Sequence, residues 1–80
     1  MNNLEKYNQA FIELFNLKKE DVHEKLFYQS VEAWDSVGHM ELIAKLESDF
    51  DIMVEMDDVI DFSSYEKGKL ILQKYKVIFD

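Results

Sequence analysis

Apolar residues recur along this chain with the period of an α-helix. Leu4, Tyr7, Phe11, Leu14 and Phe15 follow one another mostly at steps of three and four, which puts them on one helical face. Ahead of them, Asn2 and Glu5 have the spacing of a capping box, so a first helix is predicted from about Asn3 to Phe15. Residues 16–34 lose the rhythm. Leu17, Val22, Leu26, Phe27, Tyr28 and Trp34 supply anchors without a period, which reads as a long pinned connection with a helical turn near Lys19–Lys25. A second helix is predicted from about Ser36 to Phe50 and a short third one near Asp57–Asp61. The last begins at Ser63 or Ser64, where Ser63 and Glu66 again have capping-box spacing, and buries Tyr65, Leu70 or Ile71, Leu72 and Tyr75. Val77, Ile78 and Phe79 continue the apolar character. The chain has no Pro and two Gly; Gly68 is expected to cost the last helix up to about 1 kcal/mol relative to Ala. No alternating run pairs as strands. The expected fold class is all-α: a small four-helix bundle, three main helices plus a short third helix, forming one domain over residues 1–80.

The second helix carries two apolar faces. With about 100° per residue, Leu42, Leu46, His39, Phe50 and Ile43 fall within an arc of roughly 100°, an ordinary core stripe. Met40, Ala44 and Val37 form a separate strip, flanked by Glu41 and Glu47, with Ser36 at its N-terminal end. One stripe is enough to pack a helix on its own domain. The second is either a docking face with an apolar centre and a charged rim or a surface packed under the 16–34 connection.

Charge sharpens this picture. The formal net charge of −8 lies almost wholly between Asp35 and Asp61, where nine acids face Lys45 alone. Such a field repels nucleic acid and anionic membranes and attracts basic protein patches. A plain solvated acidic face is the simpler reading of the same residues. With no Cys in the 80 residues, disulfides, thiol nucleophiles and zinc–thiolate sites are excluded. No run approaches a membrane span, and the N-terminal residues lack the pattern of a signal peptide; a cytoplasmic location is expected. The acidic run Asp49–Asp61 lacks the spacing and central glycine of an EF-hand, and no metal site is expected.

Ser36 admits three roles. It is a helix N-cap, or a nucleophile served by His23 or His39, or a covalent attachment point. The nucleophile reading has no glycine-rich elbow to support it. In the third, Asp35 is the cap, the Ser36 hydroxyl faces solvent, and a phosphate ester there meets the free N–H groups of a helix start.

The run "WDSVGHMELIAKLESDFDI", Trp34 to Ile52, resembles the segment of acyl carrier proteins around their phosphopantetheine-bearing serine. The matching steps are Asp35-Ser36-Val37, Met40-Glu41-Leu42 and Phe50-Asp51-Ile52. Downstream, "MDDVIDFSSYEKGKLIL" is similar to the family's short third helix, Ser/Thr-rich turn and last helix. The chain departs from the pattern at Val37, where Leu is commoner, at Glu55 or Met56, where a proline often stands, and at His39. The resemblance implies an acyl-carrier-like fold and a non-catalytic carrier. On this reading a phosphopantetheinyl transferase places a 4'-phosphopantetheine arm from coenzyme A on Ser36. The arm then presents acyl thioesters to partner enzymes of fatty-acid or related acyl biosynthesis. Asp35 positions Ser36 and meets the transferase; Val37, Met40 and Ala44 dock; Glu41 and Glu47 pair with basic partner residues; Leu46, Val54, Val59 and Phe62 line space for a folded-back cargo. The protein is expected to act as a monomer, without nucleic acid or membrane insertion. A specialised aminoacyl or unusual-acyl carrier of the same fold, and an acidic helical adaptor with Ser36 as cap or phosphosite, stand as alternatives.

Overall fold

The computed structural model describes residues 2–79; the expected domain also includes Met1 and Asp80, which lie outside the described residues. The described residues form four α-helices and no strand: α1 (Asn3–Phe15), α2 (Ser36–Phe50), α3 (Met56–Asp61) and α4 (Tyr65–Lys74). The first two helices run over the expected residues because their end signals are local. Asn2 Oδ1 accepts the Glu5 N–H at 2.8 Å and the Glu5 carboxylate accepts the Asn2 N–H at 3.4 Å, completing the capping box. Both helices stop at a short polar residue in the left-handed region, Asn16 at φ 54° and Asp51 at φ 53°, a conformation such side chains tolerate best after glycine. The next residue closes each end in the same way: Leu17 N–H donates to Ile12 and Ile52 N–H to Glu47, both at 3.1 Å.

Tyr7, Phe11 and Phe15 of α1 share one buried core with Leu42, Ile43 and Leu46 of α2, Ile71 and Leu72 of α4, and the fully buried Trp34. Phe11 meets Trp34 edge-on at 5.3 Å and Phe15 stacks on it at 5.5 Å; such pairs add about 1 kcal/mol each beyond the area they bury. The connection between α1 and α2 is therefore held from inside, through Leu26 and Trp34. Its helical turn is shorter than expected, a 3-10 turn over Lys19–Asp21. It is also stapled to the α3–α4 junction, where Tyr28 N–H donates to Ser63 O at 2.9 Å and Tyr65 N–H donates to Leu26 O at 2.8 Å.

At the C-terminal end two expectations need correcting, the Ser63–Glu66 box and the cost of Gly68, and the open choice between Leu70 and Ile71 is settled. The cap of α4 is Ser64, which accepts the Lys67 N–H at 3.0 Å; the Ser63–Glu66 box does not form, because the Ser63 N–H that Glu66 would accept is donated to Asp61 O at 2.7 Å. Ile71 takes the core position, and Leu70 is exposed. Gly68 is required rather than merely tolerated: a Cβ there would lie 2.2 Å from both Tyr7 Oη and Phe62 Cζ. That hydroxyl is fixed, since it donates to Tyr65 O at 2.7 Å, and burial raises the Tyr7 phenol well above its ordinary range.

Candidate functional site

Ser36 is the first residue of α2, and the residue before it does the capping. Asp35 is extended, at φ −104° and ψ −167°. Its Oδ1 accepts the Gly38 N–H at 2.8 Å and its carbonyl accepts the His39 N–H at 2.7 Å. A carboxylate bound to an N-terminal amide is a strong cap. Ser36 is thereby released from that duty, and its exposed hydroxyl makes no hydrogen bond with a described side chain or backbone group.

Neither histidine serves Ser36 as a base. His39 Nδ1 accepts from the Trp34 indole at 3.0 Å, and its Nε2 lies 2.8 Å from the Val59 carbonyl. An indole only donates and a carbonyl only accepts, so the neutral imidazole carries its proton on Nε2 and both nitrogens are used. His23 sits on the connection between α1 and α2, where Nδ1 accepts the Lys25 N–H at 3.1 Å.

The two faces of α2 are as expected. Leu42, Ile43 and Leu46 are buried and His39 and Phe50 half-buried. Val37 is 67% exposed and Met40 53%, and Ala44 is exposed too. The second face is thus not packed under the 16–34 connection, which turns Leu26 and Trp34 into the core and leaves Phe27 exposed. Beside it runs an open groove of about 330 Å³ between the start of α2 and α3. Met40 forms one wall and Met56 and Ile60 the other; Tyr28, His39, Val59 and Phe62 form the floor; Ser36 and Ser63 stand on the rim. Val59 and Phe62 therefore lie where a cargo could touch them. Leu46 does not, being fully enclosed, and Val54 is absent from the lining. Met56 and Ile60, 66% and 71% exposed, were missed as a pair: their four-residue spacing shows only once α3 is known to begin at Met56.

The carboxylates divide by role. Glu41 is exposed and free of ion pairs among the described residues, as a docking rim requires. Glu47 is half-buried and accepts the Val54 N–H at 2.9 Å, so it fastens the α2–α3 loop and is not a free rim charge. Lys45, the one base of the acidic run, is turned to α1, 3.3 Å from Glu13 and 3.4 Å from Asp49. It leaves the groove side negative. Among the described residues no three His, Asp or Glu side chains are placed to hold a metal ion.

The far wall of the groove is a six-residue helix held largely by polar ties. Asp58 is buried and accepts from Lys74 Nζ at 2.6 Å and from Tyr75 Oη, while Tyr75 Oη accepts the Glu55 N–H at 3.0 Å. The Lys74 ammonium, and then the Tyr75 hydroxyl, hold the Asp58 carboxyl below the usual carboxylate range. The sign follows. A depressed carboxyl stabilises the fold above its unfolded pKa of about 3.9 and loses that contribution as pH falls through its lower folded value. Urea midpoints of Asp58→Asn should thus lie below the wild type at pH 7 and converge with it as pH falls below about 4. Parallel curves across that range would show that the ties to Lys74 and Tyr75 do not stabilise α3.

Neither a scan against models of known protein families nor a search of curated proteins returns a match for this chain.

Proposed function

We propose that this protein is an acyl carrier: Ser36 bears a 4'-phosphopantetheine arm, and α2 presents the arm's cargo to partner enzymes. One observation carries the reading. An exposed hydroxyl, freed by the Asp35 cap, stands on the rim of an apolar groove at the end of an unpartnered apolar helix face. The resemblance of Trp34–Ile52 to carrier sequences points the same way.

The residues present fit such an arm. Ser36 Oγ is accessible to a transferase, and the first turn of α2 offers amide groups and a dipole that favour a phosphodiester. When bound, the arm supplies the thiol that this Cys-free chain lacks. Everything else falls to the chain. Asp35 holds the first turn so that Ser36 faces outward, Val37, Met40 and Ala44 give partners an apolar contact, and Glu41 adds the negative rim. The unneutralised charge draws basic partner surfaces and raises on-rate more than affinity, which suits a shuttle. The chemistry itself belongs to the partners.

The test is intact mass after incubation with coenzyme A, Mg²⁺ and a broad-specificity phosphopantetheinyl transferase. The wild type should gain one phosphopantetheine and Ser36→Ala none. No gain under conditions that convert a control carrier would overturn the proposal.

A further inference from the structure

From the bonds of His39, we infer that this residue sets the length of cargo the protein can shelter, confining it to short chains lying in the surface groove. The inference rests on Ser36 being the point of attachment. Its ground is the floor of the groove. His39 lies between the groove and the interior, and its imidazole ties the two sides together: Nδ1 accepts from Trp34 Nε1 at 3.0 Å, and Nε2–H donates to Val59 O, 2.8 Å away, on α3. Behind the imidazole the space is filled. Trp34 is fully buried and nearly parallel to His39, with ring planes 14° apart. Phe62 closes on His39 edge-on at 5.9 Å between ring centroids, and Leu46 is fully enclosed deeper in.

A chain entering between α2 and α3 would have to displace the imidazole. That leaves the Trp34 N–H and the Val59 carbonyl without partners in an apolar interior. Stranding a buried donor and acceptor costs more than the burial of one or two methylenes returns. The cargo therefore stays outside this barrier. The groove of about 330 Å³ matches the volume of about eleven water molecules in the liquid. With one side open to solvent, it shelters a chain of roughly eight carbons or a single aromatic ring. Its Met40 and Met56 walls adjust to either, since thioether chains are unbranched and polarizable.

The chain's lack of cysteine makes the test clean. Ser36→Cys introduces one thiol at the groove rim. Its thiolate attacks the sulfenyl sulfur of an alkyl methanethiosulfonate, forming a mixed disulfide and releasing methanesulfinate, so a series of alkyl chains can be attached and melting temperatures compared. In the His39 background, where the open groove covers about half of each methylene, Tm should rise by about 2 °C per carbon up to roughly eight carbons and then level off. With His39→Gln, whose amide can both accept from Trp34 and donate to Val59, the plateau should remain. With His39→Ala, Tm should keep rising with ten and twelve carbons. A steady rise to twelve carbons in the His39 background overturns the inference, as does a plateau unchanged by His39→Ala. If His39→Ala does not fold, the His39 series decides alone. The attachment bypasses phosphopantetheine, so failure here is distinct from failure of the Ser36 mass test.

Discussion

Replacing Gly38 with Ala is expected to lower stability by about 2–3 kcal/mol, although Ala is the better helix former by about 1 kcal/mol. A Cβ at this position would sit 2.0 Å from the Ala33 carbonyl oxygen and 3.2 Å from Phe15 Cε1. The first neighbour is backbone and cannot rotate away. It cannot retreat easily either, because the next residue is the fully buried Trp34, whose own N–H and carbonyl are bonded to Val31 and Gln29. Relief must come from lifting the first turn of α2. That strains the bond from Gly38 N–H to Asp35 at 2.8 Å and moves Ser36, two residues away. In a domain of this size the loss amounts to roughly 10–20 °C in Tm, read by thermal denaturation followed by circular dichroism. Ala44→Gly is the control: it sits in the same helix, is exposed, and should lose only about 1 kcal/mol. An unchanged or raised Tm for Gly38→Ala would show that Ala33 yields freely and that the close approach is not needed.

Glycine also shows where sequence reading stops. The starts of α1 and α2 were legible because Asn2, Glu5 and Asp35 act on amides within a few residues of themselves. Gly68 looked like a weak point in its helix, and Gly38 gave no signal of its own. Their meaning lies in Ala33, Tyr7 and Phe62, which periodicity cannot bring together. Glu47 was read as a rim charge for the same reason: its partner, the Val54 N–H, is positioned only after Asp51 has turned the chain. His39 was correctly placed on the inner stripe of α2, yet its bonds to Trp34 and across to α3 depend on how α3 docks. The second face of α2 was visible from angle alone, but its exposure was not, because that depends on where the 16–34 connection runs. The groove beside it was only partly visible. Val59 and Phe62 were anticipated, but the Met56–Ile60 wall follows from a helix start one residue earlier than expected, fixed by Glu55 as backbone cap.

Met40→Glu should separate docking from folding more sharply than any other single change. Met40 is 53% exposed and lies in the middle of the outer face of α2, between Val37 and Ala44. Met and Glu have nearly equal helix propensity, and a carboxylate in the first half of a helix is not opposed by the dipole. Folding should therefore hold, with Tm within about 3 °C of the wild type. A partner that covers this face meets a different situation. It loses an adaptable apolar contact and must desolvate a charge without a prepared counter-ion. Central contacts of this kind are worth about 2 kcal/mol or more, so kcat/KM of the transferase for the protein should fall at least about 30-fold. The comparison with Leu42→Glu fixes the interpretation. Leu42 is fully buried two residues on, and a carboxylate there has no partner in the core, so that variant should unfold. If Met40→Glu unfolds as well, Met40 belongs to the core and the outer face has been misassigned. If it folds and the transferase works at the wild-type rate, partners approach Ser36 from another side, and the apolar strip on α2 serves the groove alone.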